Sequence, residues 1–232
     1  MLWSWLVVLT AFSIFGPPDG EDAALVRARE EMVATQIASR GVRDAKTLAA
    51  MRSVPRHEFV PAASRREAYD DHPVPIGHGQ TISQPYIVGF MTEALLLRGG
   101  ERVLEVGTGS GYQAAVLSRI AAQVFSIEIV APLAEESADR LRRLGYGNVH
   151  VRAGDGYQGW PEEAPFDAVI VTAAAPRIPE PLKRQLREGG RLIAPVGEDA
   201  QELVLVTRRG ESFDERRVLP VRFVPMTGKV RQ

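Results

Sequence analysis

Cysteine is absent from these 232 residues, which excludes disulfides, thiolate catalysis and cysteine-based metal centres while leaving the redox compartment open. Histidine is scarce. His57, His72, His78 and His150 are the four present, and none falls in an H-x-x-x-H or H-E-x-x-H spacing, so no metal site is expected. An excess of positive charge is also missing. With a formal net charge of −1, the chain lacks the global basic field that drives affinity for a nucleic-acid backbone, and no nucleic-acid partner is expected. A membrane-length apolar run is lacking too. The uncharged stretch Met1 to Phe15 stops at the breaker Gly16-Pro17-Pro18, short of the roughly 20 residues that span a bilayer. It has the apolar core of a secretory signal but no basic start and no clear A-x-A cleavage site.

What is present suits a globular α/β chain: 45% hydrophobic and 25% charged residues over a length that can bury a large core. Residues 1–20 are read as an apolar extension, a signal or an anchor, and residues 21–232 as one domain. From Glu21 to Gly41, Leu25, Met32, Val33 and Ile37 keep the spacing of an amphipathic helix closed by glycine. Asp44 to Met51 reads as a second, shorter helix. Pro55, Pro61, Pro73, Pro75 and Pro85 then interrupt the chain, so residues 53–85 are expected to be loop with short helical pieces. A loop of that length in a compact protein is usually disordered or functional.

Beyond Gly99-Gly100 the pattern becomes regular. Strands are expected at Arg102 to Val106, Gln123 to Glu128, Val149 to Arg152, Ala168 to Thr172, Arg191 to Pro195, Leu203 to Thr207 and Val218 to Phe223. Helices are expected at about Gly111 to Ala121, Ala131 to Leu144 and Pro179 to Arg187. The alternation implies a Rossmann-like, doubly wound and mostly parallel seven-stranded sheet behind a helical preface. The last two strands follow each other without a helix, so one edge should be antiparallel.

The most informative stretch is Glu105-Val106-Gly107-Thr108-Gly109-Ser110-Gly111, a strand passing through three alternate glycines into a helix. Such a turn offers bare backbone and free helix N–H groups to a nucleoside. A dinucleotide site would need glycine where Tyr112 stands. Glu128, ending the next strand about 20 residues beyond Gly107, is placed to accept from two ribose hydroxyls; on its own it would read as a solvated helix-entry residue. Asp155-Gly156 follows the third strand, where the aspartate could accept from an adenine amine, or form an ordinary Asp-Gly turn. Glu105, at the end of a buried strand, needs a partner: a backbone amide network or a cationic amino group.

The alternating glycines after an acid resemble the first motif of S-adenosylmethionine-dependent methyltransferases. Several segments extend that likeness: Val54-Pro55-Arg56-His57-Glu58-Phe59-Val60-Pro61, Ile76-Gly77-His78-Gly79-Gln80-Thr81-Ile82-Ser83-Gln84-Pro85, Gly154-Asp155-Gly156, the run from Phe166 to Pro176, and Gly189 to Gly197. Together they resemble the protein-L-isoaspartate O-methyltransferase family over roughly residues 22–232, with Gln-Thr-Ile-Ser the most specific segment. The resemblance implies methyl transfer from S-adenosylmethionine, leaving S-adenosylhomocysteine, to the α-carboxylate of an isoaspartyl residue. The ester then closes to a succinimide that reopens to aspartate. It assigns Ser83 as the active-site serine, Gln80, Thr81 and Ile82 as substrate-binding, and Glu105, Gly107, Thr108, Gly109, Gly111, Glu128, Asp155 and Gly156 as cofactor-binding. Thr227 and Gln232 sit where some members close over the cofactor. Isoaspartyl proteins and peptides are the implied partners. A cytoplasmic monomer without metal is expected, with export or membrane attachment through residues 1–15 as the alternative. Two rival readings are a methyltransferase for another acceptor, such as tRNA or a small molecule, and a cofactor-binding module without turnover.

Overall fold

The computed structural model describes residues 22–231; the apolar extension and Gln232 lie outside the described residues. The preface opens with α1 (Ala23–Glu31), started by Asp22, whose carboxylate accepts from Ala24 N at 2.8 Å. The helical path continues through π-helical Met32–Ile37 and 3₁₀ Ala38–Arg40 to Gly41, which ends it at φ 100. The one helix expected from Glu21 to Gly41 is thus wound in three ways, and its apolar positions Met32, Val33 and Ile37 all enter the core. Next comes α2 (Ala45–Ser53), capped by Asp44, which accepts from Thr47 N at 2.7 Å.

Residues 53–85 contain the expected short helical turns, Arg56–Phe59 and Ala62–Glu67, but also a hairpin, β1 (Val74–Gly77) and β2 (Gln80–Ile82), that corrects the loop reading. Pro75 and the glycines hid it from the pattern. The hairpin is isolated from the main sheet, so Pro75 removes no donor that a longer ladder needs. Val74 and Ile82 face each other and are buried, whereas Thr81, opposite Pro75, is exposed. Pro85 then occupies the first turn of α3 (Pro85–Ala94), where its missing N–H costs nothing.

The body follows as β3 (Arg102–Val106), α4 (Tyr112–Ser118), β4 (Gln123–Glu128), α5 (Ala131–Arg143), β5 (Val149–Ala153), β6 (Phe166–Val171), α6 (Glu180–Arg184), β7 (Leu186–Val196), β8 (Gln201–Arg209) and β9 (Ser212–Val221). The sheet order is β5-β4-β3-β6-β7-β8-β9. Pairings through β7 are parallel; those of β8 with β7 and β9 are antiparallel. Helix α6 is shorter than the reading Pro179 to Arg187, because fully buried Leu186 already pairs with Phe166 and draws the chain into β7. Each sheet face has its own core: Val103 joins the cluster under the preface and α4, while Leu104 and Val106 join the one with α6 residue Leu182. From β3 the chain builds outward in one direction and from β6 in the other, so strand order reverses between β3 and β6. Ligands of open α/β sheets bind beyond the carboxyl ends at such a point.

Candidate active site

At that reversal the chain leaves β3 through the glycine turn. Gly107 N donates to Ile127 O at 2.8 Å and Thr172 N donates to Val106 O at 2.9 Å, so both neighbouring strands fix where the turn begins. Gly107, Gly109 and Gly111 have φ values of 99°, 52° and 88°, in the region that favours glycine. At Gly107 a Cβ would also lie 2.3 Å from Thr172 Oγ1, an impossible approach. Gly107, Thr108 and Gly109 line a cavity of about 920 Å³, open mouth included. Gly111 does not line it; it precedes α4 and backs onto Leu141 of α5.

Glu128 lines the same cavity. Its carboxylate accepts from Gly109 N at 2.8 Å and from Val130 N at 3.0 Å, bracing the turn from the end of β4. Each oxygen keeps a lone pair for a further donor. Glu105 is fully buried behind the turn and is not a cavity residue. Its partner is a side chain rather than the amide network considered from sequence: Ser126 Oγ donates to Oε2, and Thr108 Oγ1 lies 2.6 Å from Ser126 Oγ. Oε1 has no hydrogen-bond partner among the described residues. Burial pushes the Glu105 carboxyl up to about 8, with the Glu128 charge adding to the rise and the Ser126 bond opposing it.

The opposite wall is the hairpin. Gln80, Thr81, Ile82 and Ser83 all line the cavity. The hairpin is held at both ends, by His78 Nε2 at 3.2 Å from Glu136 Oε1 of α5 and by Gln84 Nε2 donating to Asp71 Oδ1 at 2.8 Å. Ile76 Cδ1 would lie 3.5 Å from a Cβ on Gly109, so this hairpin, the flap of the cavity, and the turn are in van der Waals reach.

The C-terminal segment closes a third side. Ala174 N donates to Val224 O at 2.8 Å and Met226 N to Ala174 O at 2.6 Å, bringing Val224 to Thr227 to the cavity wall. Asp155 anchors this segment. One carboxylate oxygen accepts from Tyr157 N at 2.9 Å and the other from Lys229 N at 2.8 Å, and Asp155 does not itself line the cavity. Gly156 does line it, and a Cβ there would meet Val106 Cγ1 at 2.3 Å. Sequence reasoning missed Thr172, Ser126 and Ile129. Ile129 carried a signal: it is an apolar residue just beyond the acidic end of β4, 41% exposed and lining the cavity. Among the described residues no three His, Cys, Asp or Glu side chains converge as a metal site, and no helix is long and apolar enough to cross a membrane.

Comparison with known proteins places this geometry. Residues 27–231 match the family model described as protein-L-isoaspartate(D-aspartate) O-methyltransferase. A protein-L-isoaspartate O-methyltransferase of Opitutus terrae is 55% identical over 224 residues, 96% of this chain and 94% of the relative. Among solved structures, one protein-L-isoaspartate O-methyltransferase is 32% identical and superposes with a TM-score of 0.81 over 87% of this chain and 67% of its own. A Plasmodium falciparum chain named as a beta-aspartate methyltransferase, solved with S-adenosyl-L-homocysteine, is 28% identical with a TM-score of 0.73 over 86% of this chain and 98% of its own. The seven-stranded sheet, the glycine turn at its point of reversal and these matches agree: the chain belongs to the protein-L-isoaspartate(D-aspartate) O-methyltransferase family.

Proposed function

We propose that the cavity binds S-adenosylmethionine along the carboxyl ends of β3 and β4 and presents it to an isoaspartyl α-carboxylate held at Ser83, as the first step of repair to aspartate. The observation that carries this reading is that Ser83 and the glycine turn, far apart in sequence, line one cavity. The residues fit the donor. Gly107 and Gly109 bring no side chain into the space, and Glu128 has acceptor capacity for ribose hydroxyls. The Plasmodium falciparum relative, solved with S-adenosyl-L-homocysteine, supports the same ligand class.

When bound, the donor supplies a methyl carbon already activated by its sulfonium. An acceptor carboxylate with a pKa near 4 is ionised at neutral pH, so no general base is required of the protein. What this chain contributes is alignment. Ser83 hydrogen-bonds one carboxylate oxygen, while Gln80, Thr81 and Ile82 form the wall against which the peptide rests. Thr227 and the tail anchored at Asp155 cover the donor. Good placement of two reactants can contribute several kcal/mol to lowering a barrier. The reading assigns this work to residues 21–232 as one catalytic domain.

Labelled S-adenosylmethionine incubated with an isoaspartyl peptide should yield a base-labile ester on that peptide. Equal labelling of the matched aspartyl peptide would refute the acceptor, and binding of S-adenosylhomocysteine without turnover would favour a non-catalytic module.

A further inference from the structure

Between the flap and the glycine turn lies a cation that forms no ion pair with a carboxylate among the described residues. Arg56 is fully buried. Its Nε donates to Ala68 O at 2.6 Å, its Nη2 donates to Ser83 O at 2.8 Å, and its guanidinium carbon stands 4.8 Å from the centre of the Tyr112 ring. Nη1 is buried without a hydrogen-bond partner among the described residues. Tyr112, through its charge and a side-chain hydrogen bond, and Tyr69 favour the charged form. Burial draws the guanidinium down to about 10, so it remains cationic at neutral pH.

Taking such an ion out of water costs several kcal/mol, which two carbonyl bonds and a ring offset only in part. A methionine would fill much of the same space without that cost, since replacing buried charges by apolar residues is often neutral or stabilising. Stability alone therefore does not account for an arginine here. Geometry does. A planar guanidinium holds its two acceptors in one fixed relation, which a flexible ammonium cannot match. Those acceptors are the carbonyl of Ala68, at the end of the turn before the hairpin, and that of Ser83, just after it. The ring it faces belongs to Tyr112, the residue that follows Gly111 into α4. Ser83 and Tyr112 both line the cavity.

We propose that Arg56 is a positioning residue for methyl transfer: by gripping the Ser83 carbonyl against Tyr112, it sets the serine's distance and direction relative to the glycine turn. The inference rests on the proposed placement of the acceptor at Ser83. Displacement of a reacting group by about 1 Å can cost on the order of 100-fold in rate, so loss of this brace should appear in turnover rather than in donor binding.

The test compares wild type with Arg56→Met and Arg56→Lys in thermal unfolding, S-adenosylhomocysteine calorimetry, kcat and KM for an isoaspartyl peptide, and amide exchange at residues 80–84. Folded Arg56→Met should bind S-adenosylhomocysteine within about threefold of wild type while kcat falls about 100-fold, KM moves less and exchange at 80–84 accelerates. A kcat within about threefold of wild type overturns the proposal, as does a kcat loss matched by an equal loss of S-adenosylhomocysteine affinity. Should the methionine variant not fold, Arg56→Lys is judged in the same way: it can bond one carbonyl of the two, and about a tenfold loss of kcat at unchanged affinity is expected. A wild-type chain that fails to methylate the peptide overturns the proposed function itself and separates that failure from this one.

Discussion

The turn after β3 is pinned by backbone bonds to both neighbouring strands, Gly107 to Ile127 and Thr172 to Val106, whereas the flap that faces it is fixed largely through side chains. Arg56 reaches Ser83 O, Gln84 reaches Asp71, and His78 reaches Glu136. One wall of the cavity therefore inherits its position from sheet register, and the other from a few long side chains. Perturbation of the first wall should cost donor binding; perturbation of the second should cost alignment and leave the donor in place.

The sharpest break of that contrast is Gly109→Val. A branched residue at φ 52 is strained, and its side chain would stand in the cavity beside Ile76. Affinity for S-adenosylhomocysteine should fall by about 100-fold or more, a loss of at least about 2.7 kcal/mol measured by calorimetry. Retained affinity would remove the turn from the donor site. Ser83→Ala probes the other wall and should lower turnover about 10- to 100-fold, the worth of one hydrogen bond to a charged group, with donor affinity nearly unchanged. Equal loss of both would make Ser83 structural.

Glu105 tests how the donor wall is held from behind. Its folded-state carboxyl is raised to about 8 by burial, while an unfolded glutamate titrates near 4.3. The folded state therefore keeps a proton that the unfolded chain sheds. The associated stability is complete below about pH 4 and declines towards pH 8, by at most about 1.4 kcal/mol per pH unit. Denaturant midpoints at pH 5 and pH 8 should fall further for wild type than for Glu105→Gln, which cannot ionise. Parallel behaviour of the two would show that Glu105 is charged in the fold. The smallest effect is expected from Asp155→Ala, which frees the tail at Lys229. Donor affinity should drop about threefold, near the net worth of one exposed hydrogen bond, with kcat preserved. A large loss of kcat would give the tail a role in alignment.

The same contrast explains what was legible in the sequence. Strands β3 and β4 were readable to the residue, because apolar runs ending in glycine or an acid mark a buried parallel strand and its exit. The placing of Glu128 at the cavity followed from spacing alone. The flap was not legible as a hairpin, since Pro75 and the two glycines Gly77 and Gly79 look like loop whether or not a short ladder forms. Ser126 and Thr172 were hidden for another reason: their roles are contacts across neighbouring strands, Ser126 with Glu105 and Thr172 with Gly107 O at 2.6 Å, and no local pattern encodes them. Asp155 stood at a recognisable Asp-Gly turn, but its grip on Lys229, 74 residues away, is purely tertiary.

The most direct test is a crystal structure of the protein with S-adenosylhomocysteine and an isoaspartyl peptide together. The account predicts the thioether sulfur beside Gly107 and Gly109, with the isoaspartyl α-carboxylate hydrogen-bonded to Ser83 and pointing at that sulfur. A peptide bound away from the β1–β2 hairpin, or one whose carboxylate turns away from the donor, would contradict it.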